Sequence, residues 1–290
     1  MTAKDTFFQK KSILNIKGEI IDLSIPKVMG ILNTTPDSFY DGGRYNSIEK
    51  LRNRIDNMIN EGVDFIDIGA YSSRPGADII NENEEWERLY PVLNMLLKNY
   101  SDIIISIDTY RAEIAKRAVN DYGVGIVNDI SAGEMDNGMF EIVAELNVPY
   151  IIMHMQGNPQ NMQNSPEYKN VTKEVISRLA AKVEILKKIG VNDVIIDPGF
   201  GFGKSIEHNF ELLNNLEAFS FFQLPVLVGL SRKSMVYKLL NNTPDGSLNG
   251  TTVLNTIALI KGANILRVHD VLEAKEIVTL YLKTVQHKNN

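Results

Sequence analysis

Eight short apolar runs in the 290-residue sequence each end in polar or charged residues. In order these are Asn33; Asp67 with Gly69; Asp108; Asn128 with Asp129; His154; Asp197; Ser231 to Lys233; and Arg267 with His269. The residue types divide usefully. Asp108, Asn128 and Asp197 offer carboxylates and an amide, which can read the N–H and ring-nitrogen edge of a planar heterocycle. Arg232, Lys233, Arg267 and His269 follow the last two runs and suit an anionic group such as phosphate. Any one of them could be a helix cap or turn former. Together they are more informative than singly, because a structural scaffold could use Gly or Thr at many of these positions.

Two long loops follow the first two runs, NTTPDSFYDGG (33–43) and GAYSSRPGADII (69–80), and both read as lids. Arg74 in the second suits a carboxylate on a second substrate, against the plainer reading of a solvated loop charge. The stretch DPGFGFGKS (197–205) has three residues between Gly199 and the Gly203-Lys204 pair where the nucleotide-binding phosphate loop needs four. Phe200 and Phe202 fit better as an exposed aromatic wall for a flat ligand, the alternative being a plug at the rim. The four histidines, His154, His208, His269 and His287, lack paired metal-ligand spacing, so a protein-caged zinc is not expected. A Mg2+ held mainly by substrate phosphates needs one protein oxygen, and Asn33 is placed for it.

The elements that must position these groups follow from the runs: 27–32, 63–68, 103–107, 124–127, 149–155, 193–197, 225–230 and 264–268. They are apolar on consecutive positions, as in parallel strands buried on both faces. Helical spacing lies between them. Ile48, Leu51, Ile55 and Ile59 follow a cap at Ser47 and stop at Gly62; Ile114, Ala115 and Ala118 mark another helix; Val175, Leu179, Val183 and Leu186 mark one ending at Gly190. Eight strands alternating with helices, without a linker, predict an α/β fold, a single (β/α)8 TIM barrel over 27–287. A doubly wound open sheet is second. Residues 1–26 form an extension in which SILNIKGEIIDLSI predicts a β-hairpin closing the barrel bottom. The segment 155–169 reads as a mobile surface loop.

Composition bounds the rest. The chain is 44% hydrophobic and 23% charged, the profile of a globular protein and not of a disordered one. A net charge of −6 gives no general attraction to nucleic acid or anionic membrane. There is no cysteine, hence no disulfide and no thiol nucleophile. No apolar run has the length of a signal-peptide core or a membrane span, so a soluble cytoplasmic protein is expected.

Eight ordered motifs resemble dihydropteroate synthase: VMGILNTTPDSFYDGG (28–43), DIGAYSSRPGA (67–77), SIDTYR (106–111), IVNDISAG (126–133), MHMQGNPQNMQ (153–163), DPGFGFGK (197–204), GLSRKS (229–234) and RVHDV (267–271). The resemblance implies a (β/α)8 barrel, often dimeric. It also implies joining 7,8-dihydropterin pyrophosphate to p-aminobenzoate with Mg2+, giving 7,8-dihydropteroate and pyrophosphate. By resemblance Asp108, Asn128, Asp197 and Lys233 hold the pterin, with Ile130, Met153, Phe202 and Gly229 as walls. Asn33, Ser73, Arg74, Arg267 and His269 would bind pyrophosphate, Asn33 also touching the metal. Phe39, Ser73, Arg74, Pro75, Phe202, Ser231 and Lys233 would form the aminobenzoate site. Asp108, Lys233 and Asn33 would carry the catalysis, the charge of Asp108 favouring a pterin carbocation.

The second loop usually reads Gly-Glu-Ser-Thr-Arg-Pro-Gly in this family; here Tyr71 replaces the acid and Ser73 the threonine. Losing a buried methyl is of order 0.8 kcal/mol, a modest change for aminobenzoate or a sulfonamide that imitates it. Two other functions compete. A pterin-binding methyltransferase shares the barrel and passes a methyl to a corrinoid, but leaves the SRPG, SRKS and RVHDV runs without a role. A silent pterin-binding paralogue should have lost phosphate residues, yet Asn33, Asp108, Lys233, Arg267 and His269 are present. The last helix, with Ala274, Ile277, Val278 and Tyr281, suits a dimer face and an internal core equally.

Overall fold

The computed structural model describes residues 12–34, 44–71, 80–157, 162 and 166–286. An antiparallel hairpin, β1 (Ile13–Ile16) and β2 (Glu19–Asp22), turns at Lys17 and Gly18. The barrel strands are β3 (Lys27–Asn33), β4 (Phe65–Gly69), β5 (Ile104–Asp108), β6 (Ile126–Asp129), β7 (Tyr150–Met153), β8 (Val194–Asp197), β9 (Leu227–Val228) and β10 (Ile265–Val268). All pair in parallel in chain order, β3 also lying beside β10. A parallel bridge between Ile196 and Val226 joins β8 to the start of β9 and completes the circle. The order never reverses, so the open doubly wound sheet is excluded.

Between the strands run α1 (Arg44–Asn60), α2 (Glu82–Asn99), α3 (Ala112–Tyr122), α4 (Met139–Leu146), α5 (Val171–Lys188), α6 (Ile206–Asn214), α7 (Ser234–Tyr237), α8 (Leu248–Ile260) and α9 (Val271–Gln286). The expected apolar stripes are the buried ones: Leu51 and Ile55 in α1, Ile114, Ala115 and Ala118 in α3, Val175, Leu179, Val183 and Leu186 in α5. Ile59, predicted for the same stripe, is exposed. Ser47 is not a cap, because α1 begins three residues earlier, at Arg44. Ala274, Ile277 and Val278 of α9 are buried in the chain's own core, so that spacing serves internal packing.

A second, smaller core fills the barrel below the site. Leu14, Ile16 and Leu23 from the hairpin segment pack with Met29, Phe65, Ile126, Ile151, Ile195, Leu227 and Ile265, from seven of the barrel strands. The hairpin is thus the bottom plug. It is attached to the barrel by the Asn264 side chain, which donates to the Leu23 carbonyl at 3.1 Å. The segment after β7 departs from expectation, because Met155 and Met162 are buried against Ile130 and Met153 and do not lie on the surface.

Leu14 is fully buried in this plug. Leu14→Ala should lower unfolding free energy by about 2–5 kcal/mol in a urea titration. A loss below about 0.5 kcal/mol would mean that the hairpin is not part of the cooperative core.

Candidate active site

Strand register brings the polar residues together. Asn33 pairs with Gly69, Gly69 with Asp108, and Asp108 with Asn128, so four neighbouring strands end on one level at the C-terminal mouth of the barrel. Gly69 fits closely there, since a Cβ on it would stand 3.3 Å from the Cβ of Asp108 and press on that side chain. Two residues before Gly69, the buried Asp67 points into the same space.

Arg267 from β10 ties this row together. Its Nε donates to Asp67 at 2.6 Å and its Nη2 to Asp108 at 2.7 Å. The Asn128 amide donates to the same Asp67 oxygen at 2.9 Å. Burial alone would lower the pKa of Arg267, but the two carboxylates outweigh burial and raise it, so the guanidinium is a permanent cation. Asp108 is pushed up to about 7, first by burial; Arg267 opposes the rise, Asp67 adds to it, and a hydrogen bond from Tyr71 opposes it.

Lys233 lies opposite, on the loop after β9. Its Nζ donates to the Phe200 carbonyl and sits 4.7 Å over the Phe202 ring. Burial brings its pKa down to about 8, against the pull of Asp197, with Arg267 lowering it further. Asp197 is buried and raised by that burial, opposed first by Lys233 and then by a 2.7 Å hydrogen bond from the Gly199 amide. Gly229 faces the same space, a Cβ on it coming within 4 Å only of Lys233 and Arg267. Phe202 is half-buried and packs on the cluster containing Ile130 and Met153.

His269 and Ser231 form a third part. The Ser231 hydroxyl accepts from the His269 amide at 3.2 Å and lies 3.1 Å from its Nδ1. Burial, then Arg267 and Arg232, bring His269 down to about 4, so the ring is neutral at pH 7. It can therefore bind an anion as a hydrogen-bond donor and not as a charge.

Three expectations change. Arg232 is not free for an anion, because both Nε and Nη2 donate to Asp270 and Nη1 to Asp245. Phe200 is fully buried in the main core, so only Phe202 can face a ligand. His154 does not face the site as a free side chain but contacts the buried Lys204, whose Nζ lies 3.0 Å from its Nδ1 and donates to the Gly199 and Phe202 carbonyls at 2.8 and 3.0 Å. Lys204 thus ties the glycine-rich turn. Gly199 is required in that turn, at φ +73° with a Cβ only 1.9 Å from the His154 carbonyl oxygen. Phe39, Ser73, Arg74 and Pro75 lie outside the described residues.

Sequence reasoning assigned no role to Asp67, Tyr71 or the Arg111–Glu85 pair. Arg111 binds the buried Glu85 and the Ile80 carbonyl, while Arg88 donates to the Ala70 carbonyl at 3.1 Å. Both ends of the second loop are therefore anchored. Arg111 in SIDTYR was the available signal, an arginine beside a strand-end acid.

The described residues contain no group of three or more His, Cys, Asp or Glu that could hold a metal. Asn33, exposed at the end of β3, offers the hard carboxamide oxygen that Mg2+ accepts alongside phosphate oxygens. The residues fit a metal carried chiefly by its ligand.

Residues 29–269 match the family model described as pterin binding enzyme. The chain is 41% identical over 276 residues to the dihydropteroate synthase of Escherichia coli K12, covering 94% of this chain and 97% of that one. It superposes with a TM-score of 0.88 on the Yersinia pestis dihydropteroate synthase solved with a sulfonamide drug, at 40% identity over 94% of this chain and 99% of the other. The Xanthomonas albilineans dihydropteroate synthase in complex with 7,8-dihydropteroate gives a TM-score of 0.83 at 34% identity, covering 94% and 98%.

Gly69→Ala should press on Asp108 without straining the backbone. Turnover should fall roughly three- to tenfold through misplacement of a reacting group. Native turnover in a steady-state assay would show that Asp108 has slack the packing does not suggest.

Proposed function

The chain belongs to the pterin-binding enzymes, within them to the dihydropteroate synthases, transferases that join 7,8-dihydropterin pyrophosphate to p-aminobenzoate; from that premise we propose how its residues act. The observation that carries the proposal is the single level of Asn33, Gly69, Asp108 and Asn128 across four strands, with Arg267, Asp197 and Lys233 facing it. Asp108, Asn128 and Asp197 take the N–H edge of the pterin, and Lys233 its ring acceptors. Ile130, Met153, Phe202 and Gly229 bound its faces. Asn33, Arg267 and His269 hold the pyrophosphate, Arg267 with guanidinium hydrogens left over from Asp67 and Asp108. Ser73 and Arg74 serve the pyrophosphate and the aminobenzoate carboxylate, joined at the latter by Phe39, Pro75, Ser231, Phe202 and Lys233.

The reaction breaks the bond between the pterin methylene and the pyrophosphate oxygen and forms one to the arylamine nitrogen, which then loses a proton. An arylamine is a neutral nucleophile at pH 7 and needs no base. The burden falls on charge: as pyrophosphate departs the pterin becomes cationic, and the ionised Asp108 stabilises it. Mg2+, held by Asn33 and the diphosphate, would neutralise the leaving group. Water has to be kept from the centre, where it would otherwise compete for the cation.

The same reading has sulfonamides occupying the aminobenzoate site, and the enzyme working as a homodimer in the cytoplasm. The dimer is supported by apolar side chains that α8 and α9 leave exposed: Val253, Ile260, Leu272 and Leu280. The cytoplasm is supported by the cysteine-free sequence. Among the described residues no helix is long and apolar enough to cross a membrane.

Purified protein mixed with dihydropterin pyrophosphate, p-aminobenzoate and Mg2+ should release pyrophosphate only when all three are present. Pterin binding without release would favour a silent paralogue. The pH profile adds a second check. With Asp108 at about 7 and Lys233 at about 8, kcat/KM should rise as Asp108 ionises and fall as Lys233 loses its proton, peaking between those values. A flat profile from pH 6 to 9, on the order of that range, would contradict the roles given to both.

A further inference from the structure

Both oxygens of Asp108 are engaged: Oδ2 by Arg267 at 2.7 Å and Oδ1 by the Tyr71 hydroxyl at 2.8 Å. Tyr71 is fixed from two sides. Its ring meets Tyr110 edge-on, centroids 5.3 Å apart at 74°, and it packs beside Phe202 on the cluster of Ile130, Met153, Met155 and Met162. Tyr110 in turn carries the Arg111 guanidinium 4.7 Å from its centroid, and Arg111 is tied to Glu85. The ring is held where its hydroxyl meets Asp108. Burial, then the charge of Asp108, raise the phenol's pKa well above its usual value, so Tyr71 always has a proton to donate.

We propose that Tyr71 is a positioning residue for the reaction, its hydroxyl fixing the orientation of Asp108 and keeping the carboxylate ionised while pyrophosphate departs. The kinetic half of this rests on the function proposed above; the hydrogen-bonded pair itself does not. Around Asp108, burial, Asp67 and Glu85 favour the protonated acid, whereas Arg267 and Tyr71 favour the anion. Arg267 is shared with Asp67, and Tyr71 is the donor on the other oxygen. A carboxylate at position 71 would carry a further negative charge and could not donate while ionised.

Tyr71→Phe keeps the ring and removes the donor. In ligand-free protein labelled with [13C]aspartate, the Asp108 carboxyl signal, identified by its loss in Asp108→Asn, should titrate near 7 in the parent protein. In Tyr71→Phe the midpoint should move up by about half to one pH unit, the size of one lost hydrogen bond. The acid limb of pyrophosphate release should move with it. The variant should then be roughly three- to tenfold slower than the parent near pH 6.5 and approach it above about pH 8. An unchanged carboxyl midpoint would overturn the proposal. So would a loss of turnover equal at every pH, which is what a purely structural role gives, or no loss at any pH. A parent protein that releases no pyrophosphate would instead sink the functional reading, and the carboxyl titration would alone decide whether Tyr71 holds Asp108.

Discussion

The site depends on one arrangement, a single guanidinium shared between two carboxylates inside a barrel. In so buried a place, and beside Asp67, Asp108 resists ionisation. Arg267, 200 residues from Asp67 and 159 from Asp108, bonds both and opposes the rise of Asp108. The arrangement requires β10 to close against β3, which it does in register, with Arg267 level with Met29. It also requires a dry floor, which the N-terminal hairpin supplies with Leu14, Ile16 and Leu23.

Charge balance then follows. Asp108 and Asp197, both raised by burial, face Arg267 and Lys233, and Asp67 is bonded to Arg267. The acidic groups thus lie on β4, β5 and β8, and the basic ones on β10 and in the loop after β9, where Lys233 also meets Asp197. A substrate that is cationic at its pterin end and anionic at its leaving end in the transition state meets the matching sign at each. Preformed dipoles and charges of this kind need no reorganisation when the bond breaks.

Much of this was legible in the sequence, for physical reasons. Parallel strands buried on both faces read as unbroken apolar runs, and the residue after each run must lie at the open mouth. That placed Asn33, Asp108, Asn128, Asp197 and Lys233 correctly at one end of the fold. Pairings made far along the chain were hidden. Arg232 and Arg267 look alike as cations at strand ends, yet one is taken up by Asp270 and Asp245 and the other by the barrel centre. Phe200 and Phe202 stand two apart in one turn, and only its folded course sends the first into the core. Lys204 resembled a phosphate-loop lysine, but its bonds run to backbone carbonyls of its own turn. Tyr71 is a departure from the family pattern whose consequence appears only once Asp108 is beside it.

The measurement that bears most directly on this account is Arg267→Met, followed by urea unfolding at pH 7 and by pyrophosphate release on the same preparation. Removing one partner of a buried ionic network should cost about 3–5 kcal/mol, and turnover should fall at least about a hundredfold because the charge at the reacting centre is lost. A variant with the parent's unfolding midpoint and turnover would show that the two carboxylates do not need their shared cation.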